Sequence, residues 1–222
     1  MQVKKLTKWT SRLERLIEPT RICKICFKEF SINSTRTLFS KNIHICDTCF
    51  QKYQAKFIEF KIDKVKGIAI YEYDESIREL IYQFKGCYDI ELGSLFIEQY
   101  ILYIRYKYLG YVMVPIPSYE NDDIRREFNH VKEAFNSLKL ERLDILEKID
   151  EYKQSDQKRK DRDKIKYHLK VSDLEKVRNK KILLVDDVVT TGSTLKASVA
   201  LIKQGHPKCI KILTIAKVTN HS

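Results

Sequence analysis

One segment limits what this chain can fold into more than any other: Ile182-Leu-Leu-Val-Asp186-Asp187-Val-Val-Thr190-Thr191-Gly192-Ser193-Thr194-Leu195. Four consecutive apolar residues read as a strand buried on both faces, as in the middle of a parallel sheet. Two carboxylates then emerge at its carboxyl end, the edge where open α/β sheets hold their ligands. A short loop of hydroxyl residues around one glycine leads into a helical pattern over Thr194 to Gln204, with Gly205 as its cap. Such a loop points several backbone N–H groups at one spot, adds Thr and Ser hydroxyls and lies at the positive end of a helix dipole. That combination suits a phosphate monoester. Glycine at 192 lets the backbone approach the anion with no side chain in the way.

Acids beside a phosphate cradle repel the phosphate unless they hold something else, and sugar hydroxyls or Mg2+ are the economical candidates. A ribose 5-phosphate satisfies both halves. An aliphatic strand ending in Asp-Asp could also be a Walker B strand, but no glycine of the chain is followed by Lys, so the P-loop that must accompany it is absent. A strand end whose hydroxyls merely cap the next helix explains Ser193 and Thr194 and leaves the paired aspartates unexplained.

Four of the six cysteines form two C-x-x-C knuckles, Cys23-Lys-Ile-Cys26 and Cys46-Asp-Thr-Cys49, separated by 19 residues. That spacing falls in the window of a four-thiolate zinc site. With all four ligands drawn from protein, no position is left for substrate, so the reading is structural Zn2+. Paired redox motifs, which want a thioredoxin-like βαβ context, and disulfides, which an unexported chain rarely keeps, are the competing readings. Cys87 and Cys209 stand apart in apolar surroundings and read as small core residues.

The net charge is +12, and residues 1–66 hold 15 basic against 6 acidic residues, so most of the excess lies in the first third. A field of that sign attracts phosphate-bearing partners without naming them. Leu6, Trp9, Leu13, Leu16 and Ile17 recur at helical spacing among Lys4, Lys5, Lys8, Arg12 and Arg15, a short amphipathic helix that Pro19 ends. A helix is expected from Cys49 toward Phe60, with Lys61 to Lys66 as the join. The expected division is 1–61 for the basic helix and zinc module and 62–222 for an α/β domain.

Within that domain the pattern alternates. Strands are expected at Gly67–Tyr73, Tyr111–Pro117, Asp144–Ile149, Lys181–Val185 and Cys209–Val218. Helices are expected at Ser76–Phe84, Leu92–Leu109 and Phe128–Leu138, and Ser155–Lys166 is too charged to be core. This alternation implies parallel pairing. No run of about 18 apolar residues exists, and the first residues lack the apolar stretch of a secretory signal. A cytoplasmic protein without membrane insertion is expected.

The Asp-Asp-Val-Val-Thr-Thr-Gly-Ser segment resembles, at every position, the phosphoribosyl pyrophosphate (PRPP) signature of type I phosphoribosyltransferases. With the zinc knuckles in front, and with Val114-Pro-Ile-Pro117 followed by Arg126-Glu-Phe-Asn129-His130, the chain is similar to the ComF-type competence proteins from about Arg21 to Ala216. Where that family commonly has Arg-Gly-Phe-Asn-Gln, this chain has Glu127 and His130. The fold implied is a type I phosphoribosyltransferase-like parallel sheet flanked by helices, behind a small zinc module with four cysteine ligands.

The resemblance implies that Asp186 and Asp187 bind the ribose 2- and 3-hydroxyls while Thr190, Thr191, Gly192, Ser193 and Thr194 hold the 5-phosphate. Pyrophosphate with Mg2+ would lie over the turn after Pro117. Lys85, Arg125, Arg126, Arg159 and Arg162 are the cations available to it. The histidines, His130 among them, show no ligand or catalytic spacing and receive no role. By resemblance the function is DNA uptake in natural transformation, with single-stranded DNA and a ComFA-type helicase as partners and recruitment to the inner face of the membrane by the uptake machinery. The alternatives are a phosphoribosyltransferase on an unidentified acceptor outside DNA uptake, or a DNA- and helicase-binding adaptor with a vestigial pocket.

Overall fold

A computed structural model describes residues 21–31, 44–117, 127–149 and 168–219. The chain divides into two compact units, Met1–Gln54 and Ala55–Ser222. The expected amino-terminal helix, Arg125, Arg126, Arg159, Arg162 and the charged stretch at 155–166 lie outside the described residues.

In the first unit, β1 (Arg21–Ile22) and β2 (Glu29–Phe30) pair antiparallel around the first knuckle. The turn is closed by Phe27 N donating to the Cys23 carbonyl and Cys23 N to the Lys28 carbonyl, 2.9 Å each. The second knuckle opens α1 (Asp47–Lys52), whose N-cap is Cys46.

The second unit is built on a five-stranded sheet of order β3-β4-β9-β8-β5, antiparallel only at the β3–β4 edge. Its strands are β3 (Ile58–Ile62), β4 (Val65–Glu72), β5 (Tyr111–Pro115), β8 (Lys181–Val189) and β9 (Cys209–Lys217). Ile182 and Leu184 of β8 join a cluster with Val112, Val114, Ile212 and the apolar stripe Leu195, Val199 and Ile202 of α6 (Ser193–Lys203). Leu183 and Val185, equally buried, point to the opposite face, because successive strand residues alternate. Between β4 and β5 lie α2 (Glu75–Gly86), α3 (Leu92–Glu98) and α4 (Ile101–Lys107). Between β5 and β8 come α5 (His130–Asn136), the antiparallel pair β6 (Leu146–Ile149) and β7 (His168–Val171), and a 3-10 turn at Glu175–Val177.

Four expectations need correction. The stretch toward Phe60 is not helix: α1 stops at Lys52, and Ile58, Phe60 and Ile62 alternate with Glu59 and Lys61 as an edge strand. The hairpin it forms turns through Asp63 and Lys64 at φ 45° and 69°, the left-handed pair of a type I′ turn, so the join falls at Gln54–Ala55 and not at 61–62. The long helix from Leu92 is two helices, broken where the Tyr100 hydroxyl accepts from Ala55 N at 2.8 Å and its ring stands edge-on to Phe57. Cys87 is exposed and Cys209 half-buried, its thiol donating to the Tyr111 hydroxyl at 3.5 Å, so neither is a core residue.

At the end of α6 the left-handed residue is His206, φ 52°, and not Gly205. Glycine is required at 205 for another reason: a Cβ there would lie 2.3 Å from Val177 Cγ2 and 2.6 Å from the Leu174 carbonyl oxygen. Among the described residues, no helix is long and apolar enough to cross a membrane.

Candidate functional site

β8 continues through both aspartates to Val189, with Asp186 in register with Thr214 and Val188 with Ala216. Regular alternation therefore sends the two carboxylates to opposite faces. Asp187 turns toward α2 and α5, where its Oδ2 is bonded to Lys85 Nζ and lies 3.0 Å from His130 Nε2. Its Oδ1 accepts from Val188 N at 2.5 Å. Asp187 and His130 are both buried, 8% and 5% exposed. Burial pushes the Asp187 carboxyl up, but the His130 hydrogen bond and the Lys85 charge outweigh it and hold the group well below the usual carboxylate range.

Asp186 behaves oppositely. Its Oδ1 accepts from Asp187 N at 3.0 Å, and among the described residues its Oδ2 has no hydrogen-bond partner. Burial and then the neighbouring Asp187 charge drive its carboxyl well above the ordinary value. One acid of the pair is thus neutralised by the protein, and the other is left to be satisfied.

Three elements bring the partners of Asp187 together. Lys85 sits in the last turn of α2, whose start is capped by Asp74 Oδ1 accepting from Ile77 N. His130 opens α5, capped in turn by Asn129 Oδ1 accepting from Lys132 N at 2.9 Å. Phe128 packs on Phe84 with ring centroids 5.6 Å apart, tying this turn to α2. Glu127 takes φ 63°, the left-handed region that favours glycine, which is the residue the ComF-type pattern has there.

The loop after β8 is open. Thr190, Thr191 and Ser193 are exposed, Thr194 is half-buried and Gly192 is buried. The Thr191 and Ser193 hydroxyls lie 2.8 Å apart, and Ser193 N donates to Thr191 Oγ1 at 3.4 Å. Among the described residues, the amides of Thr190, Thr191, Gly192, Thr194 and Leu195 have no protein acceptor. Gly192 takes φ +73°, and a Cβ there would lie 2.6 Å from Ile62 Cδ1, so glycine serves both conformation and close approach.

The structure brings Lys85 and His130 onto Asp187, with the loop 190–194 following β8 in the chain; the sequence pattern assigns Lys85 to the pyrophosphate side and gives His130 no role. Among the described residues Lys85 is bonded to Asp187; the turn after Pro117 lies outside the described residues.

In the first unit the sulfur atoms of Cys23, Cys26, Cys46 and Cys49 all lie within 4.8 Å of one another. The Cys26 and Cys46 sulfurs are 3.7 Å apart, close to the edge of roughly 3.8 Å that a tetrahedron with bonds of about 2.3 Å requires. Cys49 N donates to Cys46 Sγ at 3.5 Å. Burial raises the Cys23 thiol, yet hydrogen bonds from backbone amides, that of Cys26 foremost, bring it down to about 7. Burial pushes the Cys46 and Cys49 thiols up. The donor set and spacing fit a four-coordinate metal.

A strand end with paired acids leading into an open amide loop at a helix start is the arrangement on which comparison with known proteins bears. Residues 130–221 match the phosphoribosyl transferase domain family. The chain is 28% identical over 151 residues to competence protein ComFC of Streptococcus pneumoniae, covering 67% of each. A stretch of 35 residues is 51% identical to adenine phosphoribosyltransferase of Campylobacter hominis, 16% of this chain and 19% of that one. Among solved structures, a hypoxanthine phosphoribosyltransferase of Staphylococcus aureus aligns at TM-score 0.38 and 13% identity, covering 60% of this chain and 77% of that one. The carboxyl-terminal part of the chain thus matches a phosphoribosyl transferase domain, and the chain is similar to a ComFC competence protein, with a four-cysteine cluster ahead of that domain.

Proposed function

We propose that this is a ComFC-like competence protein acting in DNA uptake during natural transformation, and that its β8–α6 loop binds PRPP or a related ribose phosphate. The observation that carries the binding half is the set of open amides from Thr190 to Leu195 beside the Oδ2 of Asp186, which has no partner among the described residues. A 5-phosphate on those amides brings ribose over the strand end, where Asp186 accepts from a ring hydroxyl. Lys85 is then the described cation that can follow the leaving group, exchanging Asp187 for pyrophosphate while His130 stays hydrogen-bonded to Asp187. Mg2+ would arrive with pyrophosphate as part of the substrate complex. Were transfer to occur, the bond from C1 to the pyrophosphate oxygen would break through an oxocarbenium-like state, and the protein would contribute positioning and charge neutralisation.

The competence half is supported by the similarity to a protein of that name and by the basic first third of the chain, which suits single-stranded DNA. A ComFA-type helicase is the partner this reading implies, and the cytoplasm, beside the uptake machinery, is the compartment. The four thiolates select Zn2+ as a structural ion. A second reading, an adaptor that binds without turnover, is favoured by Asp187 already being paired with Lys85 and hydrogen-bonded to His130.

Calorimetric titration with PRPP and Mg2+ tests the site. Binding at micromolar to millimolar concentration is expected, abolished by Thr191→Ala and by Asp186→Asn, and absence of binding at millimolar PRPP overturns the reading. Release of pyrophosphate on addition of candidate acceptors separates the enzyme from the adaptor.

A further inference from the structure

We infer that the opposite end of the same sheet carries a second binding site, for a nucleotide. A cavity of about 670 Å³ opens there, within the range of ligand pockets and far larger than a lone phosphate needs. It is lined by lysines from three strands and a helix end: Lys61 of β3, Lys66 of β4, Lys211 of β9 and Lys107 of α4. Glu59 is the acid among the lining residues. Lys61 and Lys66 stand directly opposite each other in the β3–β4 register, an arrangement that destabilises a hairpin unless a counter-charge relieves it. Among the described residues, Lys61, Lys66 and Lys211 have no carboxylate within ion-pair distance. The charge of the cavity is therefore left for a ligand.

The remaining wall is aromatic. Tyr108 and Tyr111 meet edge-on, with centroids 5.6 Å apart at 87°, Tyr108 buried and Tyr111 half-buried, so Tyr111 is the ring a base can reach. A planar base can stack on such a wall while the lysines hold its phosphates. This position is separate from the Asp186–Thr194 loop. Tyr111 is in register with Lys181 at the start of β8, and Asp187 lies six residues further on, about 20 Å along the strand.

Titration of the full chain with ADP tests the inference, with inorganic pyrophosphate and a single-stranded decanucleotide as parallel probes. Lys66→Gln combined with Lys211→Gln is expected to weaken ADP binding at least tenfold, and Asp186→Asn to leave it unchanged; Lys61→Gln alone should give a smaller loss in the same direction. PRPP binding should survive the lysine changes, so this site and the loop after β8 can fail separately. Photolabelling with an azido-ADP is expected to mark peptides holding Tyr108 or Tyr111. No ADP binding at millimolar concentration overturns the site, as does ADP binding lost with Asp186→Asn and untouched by the lysine changes. Pyrophosphate binding as tight as that of ADP overturns the nucleotide class, and so does binding of the oligonucleotide alone.

Discussion

The cysteine knuckles and the strand end at Asp186–Asp187 both gather acidic groups, and they deal with the resulting charge in opposite ways. Four thiols converge on one another, a donor set that fits a four-coordinate metal and would couple this unit's folding to that ion. At the strand end the chain supplies its own partners for Asp187, the Lys85 charge and a hydrogen bond to His130, and leaves the Asp186 Oδ2 without a partner among the described residues. The first arrangement depends on an outside partner for its charge. The second is partnered within the chain at Asp187 and leaves one carboxylate oxygen and a row of amides open among the described residues.

Cys46→Ser is expected to give the largest effect, loss of about one equivalent of metal and of order in residues 21–31 and 44–53, since structural zinc contributes on the order of 10 kcal/mol in small modules. Metal analysis with limited proteolysis reads this, and a folded, metal-free knuckle would break the contrast. Lys85→Met comes next. It leaves Asp187 buried against His130 alone, so destabilisation at the low end of the ~3–5 kcal/mol of a broken buried pair is expected in urea melts. The double variant with Asp187→Asn should recover much of that loss.

Asp186→Asn should go the other way. Its raised folded pKa means the ionised carboxylate is a penalty that grows as pH rises above the ordinary carboxylate value. Removal should stabilise by on the order of 1 kcal/mol at neutral pH, with the gain disappearing in acid. Asp187, with its depressed pKa, contributes stability above the ordinary carboxylate pKa that is lost only as pH falls through the depressed value. Thermal melts across pH separate the two signs. The smallest expected change is Glu127→Gly, stabilising by about 0.5–1 kcal/mol in a thermal melt if relief of the left-handed backbone outweighs the added chain entropy.

The sequence displayed the β8–α6 segment almost completely, because burial on both faces, an acidic strand end and a glycine-bearing loop are all local patterns. The four cysteine ligands were legible for the same reason. His130 was not, since it lies 57 residues from Asp187 and only the packing of α5 on the sheet brings them together. The β3–β4 hairpin was hidden by a turn with no glycine, where Asp63 and Lys64 take left-handed backbone. The break between α3 and α4 follows from Tyr100 meeting Ala55 and Phe57, contacts that no helical periodicity encodes.

That same hairpin ends against the loop after β8, the loop proposed above to hold a phosphate. Ile62 Cδ1 fills the space behind Gly192, and Lys196 Nζ on the first turn of α6 lies 3.5 Å from Asp63 Oδ1. A cradle braced from behind has little slack to close around a guest. Choice among sugar phosphates should therefore rest on rigid fit at this loop, and shortening Ile62 to alanine should loosen that choice before it weakens the fold.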